Sequence, residues 1–220
     1  MAFALEDPAQ KDAAMMKLYT SRLAPNPRRV RWFMAEKAIT DIEIDEFDLF
    51  TQRQKSPEYL AEVGAPVAPA LVLDDGSVIT ESLAICRYLE SLYPEPNLFG
   101  LDAREIAHIE MWTRRAEFLT ANPLMTAVRH GHPALAALET QNPETSARSV
   151  AQATQSLAFF EKRLGATEWI AGDRLTMADG VLFISLEFAR MVRFKIPEDS
   201  PNLLRWQVEM RSRDSAAAGT

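Results

Sequence analysis

The sequence predicts two units in tandem: a small mixed α/β unit over residues 16–93 and an all-helical bundle over residues 101–215. Three observations predict this. Short β-leaning segments alternate with helical periodicity as far as Tyr93, and the breaker Pro94-Glu95-Pro96-Asn97 follows. Beyond Gly100 every periodic segment has helical spacing. With 220 residues, 47% of them apolar, the chain fills either one large core or two small ones, so this seam decides the division. Residues 94–100 then form a linker. Residues 1–15, where Glu6, Asp7, Pro8, Gln10, Lys11 and Asp12 follow no period, read as a flexible N-terminal tail.

Lys17-Leu18-Tyr19-Thr20 is a short strand candidate, broken by the two prolines between Ser21 and Pro27. From Arg28 the spacing of Val30, Phe33, Met34 and Ala38 predicts a helix, with Pro27 at its first position. Ile42, Ile44 and Phe47 predict a second strand. Ser56-Pro57-Glu58 reads as an N-cap followed by proline, opening a short helix through Glu62. Leu71-Val72-Leu73, Asp74-Asp75-Gly76 and Val78-Ile79 predict a hairpin. Ser82 opens a helix with the apolar face Leu83, Cys86 and Leu89, which completes the order β-α-β-α-β-β-α.

In the second unit, residues 102–121 put Ile106, Ile109, Trp112, Ala116 and Leu119 on one helical face. Residues 144–164 do the same with Val150, Ala153, Leu157, Phe160 and Leu164. The run Val181 to Leu186 is apolar nearly all round and predicts a buried central helix, with Thr176-Met177-Ala178-Asp179 as its capping box. Leu203, Leu204, Trp206 and Met210 predict a last amphipathic helix.

Composition removes several function classes. A balance of 24 basic against 31 acidic residues, net −7, argues against broad binding to nucleic acid or anionic membrane. One cysteine excludes a fold stapled by internal disulfides. The start Met-Ala-Phe-Ala-Leu-Glu-Asp-Pro lacks a basic segment and breaks its apolar run at Glu6, so no signal peptide is expected. No apolar stretch approaches the ~20 residues of a membrane span. A soluble, cytoplasmic protein is the expectation.

Motifs on both sides of the seam resemble one family. The run from Leu18 to Arg31 resembles the first strand and helix of cytosolic glutathione transferases of bacterial type. Pro69-Ala70-Leu71, the Asp-Asp-Gly hairpin and Glu81-Ser82-Leu83-Ala84-Ile85 are similar to that family's proline and glutamate-serine motifs. Ala171-Gly172-Asp173, Thr176 and Asp179 are similar to its helical-domain capping motif. The resemblance implies a thioredoxin-like domain followed by a helical bundle, a homodimer, glutathione as cosubstrate and no metal.

It also implies a site. The proline matching Pro69 is cis in the family, and the preceding Ala68 presents its backbone N–H and C=O to the cysteinyl unit of glutathione. Glu81 accepts from the ligand's α-ammonium, while Ser82 donates to its α-carboxylate at a helix N-terminus. Read without the family, Ser82 is equally a plain N-cap. Gln54 and Lys55 fall where the family contacts the glycyl carboxylate; the alternative is a solvated loop. At the thiol-activating position the sequence departs from the pattern, with Ala24-Pro25-Asn26-Pro27 and no hydroxyl or thiol at Ala24. Ser21 remains as the donor to the thiolate, with Asn26 and the first-helix amides assisting, although Ser21 also reads as a turn residue. Val63-Gly64-Ala65-Pro66 departs from the pattern as well, which predicts a shifted loop before Ala68.

Other signals have plainer readings. Cys86 lies on an apolar helix face and reads as a buried structural thiol. His130-Gly131-His132 lacks a companion carboxylate or thiol at ligand spacing. Arg28, Arg29 and Arg31 read as a solvated helix face. Trp112, Arg115, Phe118 and Phe194 are candidates for an acceptor pocket, with Trp112 also readable as core. The function implied is conjugation of glutathione thiolate to small, largely apolar electrophiles. A non-catalytic protein binding glutathione or a hydrophobic ligand, or a glutathione-dependent cleavage, isomerisation or peroxidase activity, is the alternative.

Overall fold

Period-two alternation along four short strands sorts their side chains onto two faces. The structure, a computed structural model, describes residues 15–22 and 24–220. The expected N-terminal tail, apart from Met15, lies outside the described residues. Strand β1 (Lys17–Thr20) pairs in parallel with β2 (Glu43–Glu46) and antiparallel with β3 (Ala70–Val72). β4 (Val78–Thr80) completes the order β2-β1-β3-β4. The parallel pair needs a crossover, which α1 (Pro25–Glu36) supplies. α2 (Pro57–Val63) connects β2 to β3, and α3 (Ser82–Leu92) follows β4. Leu18 and Leu71 face the core shared with α1 and α3, whereas Tyr19 and Ala70 pack with Phe47, Tyr59 and Val63 on the other side. This is the thioredoxin-like layering that the motifs imply.

Local chemistry explains the boundaries. The hairpin turn has Gly76 at φ +82°, and the Asp75 carboxylate accepts from the Ser77 N–H at 2.8 Å. Ser56 caps α2 by accepting from the Tyr59 N–H at 3.2 Å. The first helix begins earlier than the periodicity predicts, at Pro25, with Pro27 in its third position. Both prolines are tolerated because first-turn N–H groups have no partner inside the helix.

The second half consists of α4 (Ala103–Arg115), α5 (Asn122–Gly131), α6 (Pro143–Leu164), α7 (Met177–Ala189) and α8 (Pro201–Ser212). A π-helical turn over Ala116–Ala121 joins α4 to α5 without a break. The wider turn shifts the phase of the helix beyond it, so Leu119 is exposed against the predicted face; Ile106, in the first turn of α4, is exposed as well, while Ile109, Trp112 and Ala116 are buried as predicted. It also lies just ahead of Pro123, whose ring would clash with the carbonyl of a regular preceding turn.

α7 is buried along almost its whole length. The predicted capping box is present: Asp179 Oδ2 accepts from the Thr176 N–H at 2.9 Å and from its hydroxyl at 3.0 Å. Oδ1 accepts from the Ile170 N–H and the Trp206 indole N–H, both at 3.0 Å. Burial nevertheless raises the Asp179 carboxyl to about 6.

α1 packs against the sheet on one side and α7 on the other. Trp32 lies so close to Gly180 that a Cβ there would sit 2.2 Å from its ring. Arg28 donates to the Ala216 carbonyl at 2.7 Å, and Arg213 donates to Glu36 at 2.7 Å. Lys37 fastens the connecting segment: its ammonium donates to the Tyr93 and Pro96 carbonyls, each at 2.7 Å, and lies 2.8 Å from Oε2 of Glu90. Oε1 of Glu90 in turn accepts from the Leu98 N–H at 3.0 Å.

Candidate active site

Strand register gathers the candidate residues at one end of the sheet. Tyr19 is opposite Ala70, and Ala70 is opposite Thr80, so the end of β1, the start of β3 and the end of β4 lie side by side. Ser21 and Glu81-Ser82 directly follow these strand ends, and Ala68-Pro69 directly precede the start of β3. The Ala68–Pro69 peptide is cis. Among the described residues the Ala68 N–H and C=O have no hydrogen-bond partner.

Glu81 holds φ +68° and ψ 116°, a conformation that costs a non-glycine residue about 1–3 kcal/mol and that marks functional sites. It makes Glu81 the cap and Ser82 the first helical residue, so Ser82 is not the N-cap of α3. Its hydroxyl forms no hydrogen bond among the described residues. The first bond of the helix runs from the Ile85 N–H to the Glu81 carbonyl at 3.0 Å, which leaves the N–H groups of Ser82, Leu83 and Ala84 without a partner among the described residues. A hydroxyl and three amides at a positive helix end form an anion-binding group.

That turn opens on a cleft of about 630 Å³ between the two halves. Asn26 and Arg29 of α1 line it on the same side as Glu81 and Ser82; Glu110, Arg114, Glu117, Asn122 and Met125 line the far wall. Charges alternate across it. Arg87 lies 3.0 Å from Glu110, Arg114 is 2.7 Å from Glu110 and 2.6 Å from Glu117, and Arg29 is 3.7 Å from Glu117. Arg29 is 2% exposed, which corrects its reading as part of a solvated face: α1 is covered on both sides. Burial draws the Arg29 pKa down from its ordinary value, and Glu117 opposes this.

The N-terminal end of α1 offers fewer amides than expected. Pro25 and Pro27 have no N–H, and the Arg28 N–H is taken by the Ala24 carbonyl at 3.1 Å. In the first turn only the Asn26 N–H is left. The Asn26 Oδ1 is sealed without a partner, while its Nδ2, unbonded among the described residues, opens on the cleft. Ser21 is buried, donates to the Arg22 carbonyl at 3.3 Å, and is not among the cleft-lining residues.

The remaining candidates scatter. Gln54 is buried with its Oε1 unpartnered, and Lys55 is exposed, 3.3 Å from Gln52 Oε1; both sit in a 3-10 turn away from the cleft wall. Trp112 is core: it stacks on Phe159 at 5.2 Å and donates to His108 Nε2 at 3.1 Å, and Arg115 covers its ring. Phe118 is exposed, and Phe194 lines a separate hollow beside Arg193 and Lys195. These four therefore do not converge on one acceptor pocket. The face of α4 towards the cleft is Glu110 and Arg114, continued by Glu117, a charged stripe at helical spacing that apolar periodicity does not detect. His130 and His132 accept from the backbone N–H groups of Asn142 and Ala134, both at 3.3 Å. Cys86 is buried, and burial pushes its thiol pKa well up.

A thioredoxin-like sheet with a cis-proline just before β3, joined to a helical bundle across a polar cleft, defines a class of proteins with a thioredoxin-like unit followed by a helical one. Residues 18–97 match the glutathione S-transferase N-terminal domain family and residues 111–214 the glutathione S-transferase C-terminal domain family. Glutathione S-transferase 2 of Saccharomyces cerevisiae is 32% identical over 97% of this chain and 93% of its own. The crystal structure of Gtt2 from the same yeast superposes with a TM-score of 0.83, covering 90% of this chain and 97% of that one at 32% identity. A maleylacetoacetate isomerase of Pseudomonas aeruginosa is 31% identical over 92% of both chains. The chain belongs to the glutathione S-transferase family. Among the described residues no helix is long and apolar enough to cross a membrane.

Proposed function

We propose that the protein binds glutathione as its thiolate and conjugates it through the sulfur to a small, largely apolar electrophile, as a cytoplasmic homodimer with a detoxifying role. The observation that carries this reading is the first turn of α3. Its free hydroxyl and three free amides suit the α-carboxylate of the tripeptide, and the adjacent Glu81 carboxylate suits its α-ammonium. The unpaired backbone of Ala68 supports pairing with the cysteinyl unit, whereas Gln54 and Lys55, which lie off the cleft wall, give a contact at the glycyl end no such support.

Lowering the thiol from about 8.5 to about 6.5 requires roughly 2.7 kcal/mol of preference for the thiolate. One hydrogen bond to a charged group contributes about 1.5–3 kcal/mol, and with a single first-turn amide left it falls mainly to the Asn26 side chain. Ser21, its hydroxyl turned to a carbonyl, is the weaker candidate. Calorimetric titration with glutathione should show Glu81→Ala and Ser82→Ala weakening binding more than tenfold; unchanged affinity in both sinks the ligand assignment. Thiolate absorbance across a pH titration should show a depressed thiol pKa that Asn26→Ala raises by about one unit and Ser21→Ala leaves alone. Ala24 favours a second reading, a protein that holds glutathione without turnover, and a wild-type complex with an ordinary thiol pKa would select it. The isomerase relative favours glutathione-dependent isomerisation as the third.

A further inference from the structure

Among the described residues, Arg29 is the one arginine of the cleft wall that makes no side-chain hydrogen bond. Arg87 and Arg114 sit within 3.0 Å of carboxylates, but the nearest carboxylate to Arg29, that of Glu117, is 3.7 Å away and already bonded to Arg114. Its Nε is sealed without a partner. Its two terminal nitrogens form no hydrogen bond among the described residues, and the side chain, 3% exposed, lines the cleft. A cation buried this far is costly unless a matched anion completes its surroundings, and a guanidinium fork matches a carboxylate. The α-carboxylate of glutathione already has the first turn of α3, which leaves Arg29 for a second anion. Met125 and Phe99 add apolar surface beside it.

We propose that Arg29 is a specificity-determining residue that selects electrophiles bearing a carboxylate, which its terminal nitrogens hold while glutathione occupies the turn at Ser82. This rests on the reading of the cleft as a glutathione site. It replaces a largely apolar acceptor with an amphipathic, anionic one. The probe pair is 4-chloro-3-nitrobenzoate and its methyl ester, alike in shape and different in charge. In either, the glutathione thiolate forms a bond to the chlorine-bearing carbon, and chloride leaves with the bonding electron pair.

The first readout needs no turnover: calorimetric binding of the two glutathione conjugates formed from this pair. Wild type should bind the acid conjugate roughly tenfold or more tightly than the ester conjugate, the factor that one charge-assisted hydrogen bond gives. Arg29→Met should abolish that preference while leaving affinity for glutathione itself unchanged, and Arg29→Lys should keep part of it. The same ratio is then read in kcat/KM. Equal binding of acid and ester conjugates by wild type overturns the proposal and requires no variant to fold. If Arg29→Met weakens glutathione and leaves the acid-to-ester ratio intact, Arg29 serves the tripeptide and the proposal also falls. Failure of wild type to bind glutathione at all would instead overturn the underlying reading of the cleft.

Discussion

Replacing Lys37 by methionine tests how the segment between the two halves is held. The Lys37 side chain is 0% exposed and that of Glu90 10%, so the pair is out of water. Methionine preserves the length and apolar stem of lysine but removes the ammonium. Glu90 is then a buried carboxylate without a counter-ion, and the Tyr93 and Pro96 carbonyls lose their donor. Breaking a buried pair from one side costs about 3–5 kcal/mol, which for a chain of this length corresponds to about 10 °C in Tm. Thermal and urea denaturation followed by circular dichroism at 222 nm measure it. Glu90→Gln strands the ammonium instead and should cost a similar amount. Lys37→Met combined with Glu90→Leu removes both charges, and should recover at least half of the single-variant loss because no unpaired ion remains. A Lys37→Met protein within about 1 kcal/mol of wild type, or a double variant whose loss is the sum of the single losses, would refute this account.

Two further outcomes are expected elsewhere. The Asp179 carboxyl, raised to about 6 in the folded protein, binds a proton there more readily than in the unfolded chain. Its contribution to stability is therefore greatest below about pH 4 and falls by about 3 kcal/mol as pH rises to about 6, so the wild-type stability curve should slope downward relative to that of Asp179→Asn across this window; parallel curves would count against it. Gly180→Ala places a methyl group against the Trp32 ring and should destabilise by about 3 kcal/mol, with Trp32→Leu in the same chain restoring part of the loss in denaturant titrations.

The parts of the fold legible in the sequence are those set by local chemistry. Asp75-Gly76 marks the hairpin, Ser56-Pro57 the start of α2, and Thr176 with Asp179 the cap of α7, because each acts on backbone within a few residues. What escaped depends on partners distant in sequence. The helix through Pro123 is hidden by a residue that normally ends a helix, and the π-turn that accommodates it has no sequence period of its own. Arg29 carries the same local signal as Arg31 two residues on; only its place against Glu117 on the cleft wall separates a buried cation from a half-buried one. The Glu81–Ser82 side of the cleft is legible as motif, since the two residues are adjacent. Its opposite wall is assembled from a charged stripe that hydrophobic periodicity passes over.

The position of α1 also limits how such a chain can be rebuilt. It is the crossover of the sheet, yet Trp32, Arg28 and Glu36 make their closest contacts with residues between 180 and 216. A graft made at the linker would exchange one half and leave α1 facing a foreign α7, with Trp32 against whatever side chain replaces Gly180. Modularity here follows the pattern of secondary structure and stops at the core, so shuffling halves between relatives requires α1 to travel with the helical bundle it fits, although the strands on either side of it in the chain belong to the other half.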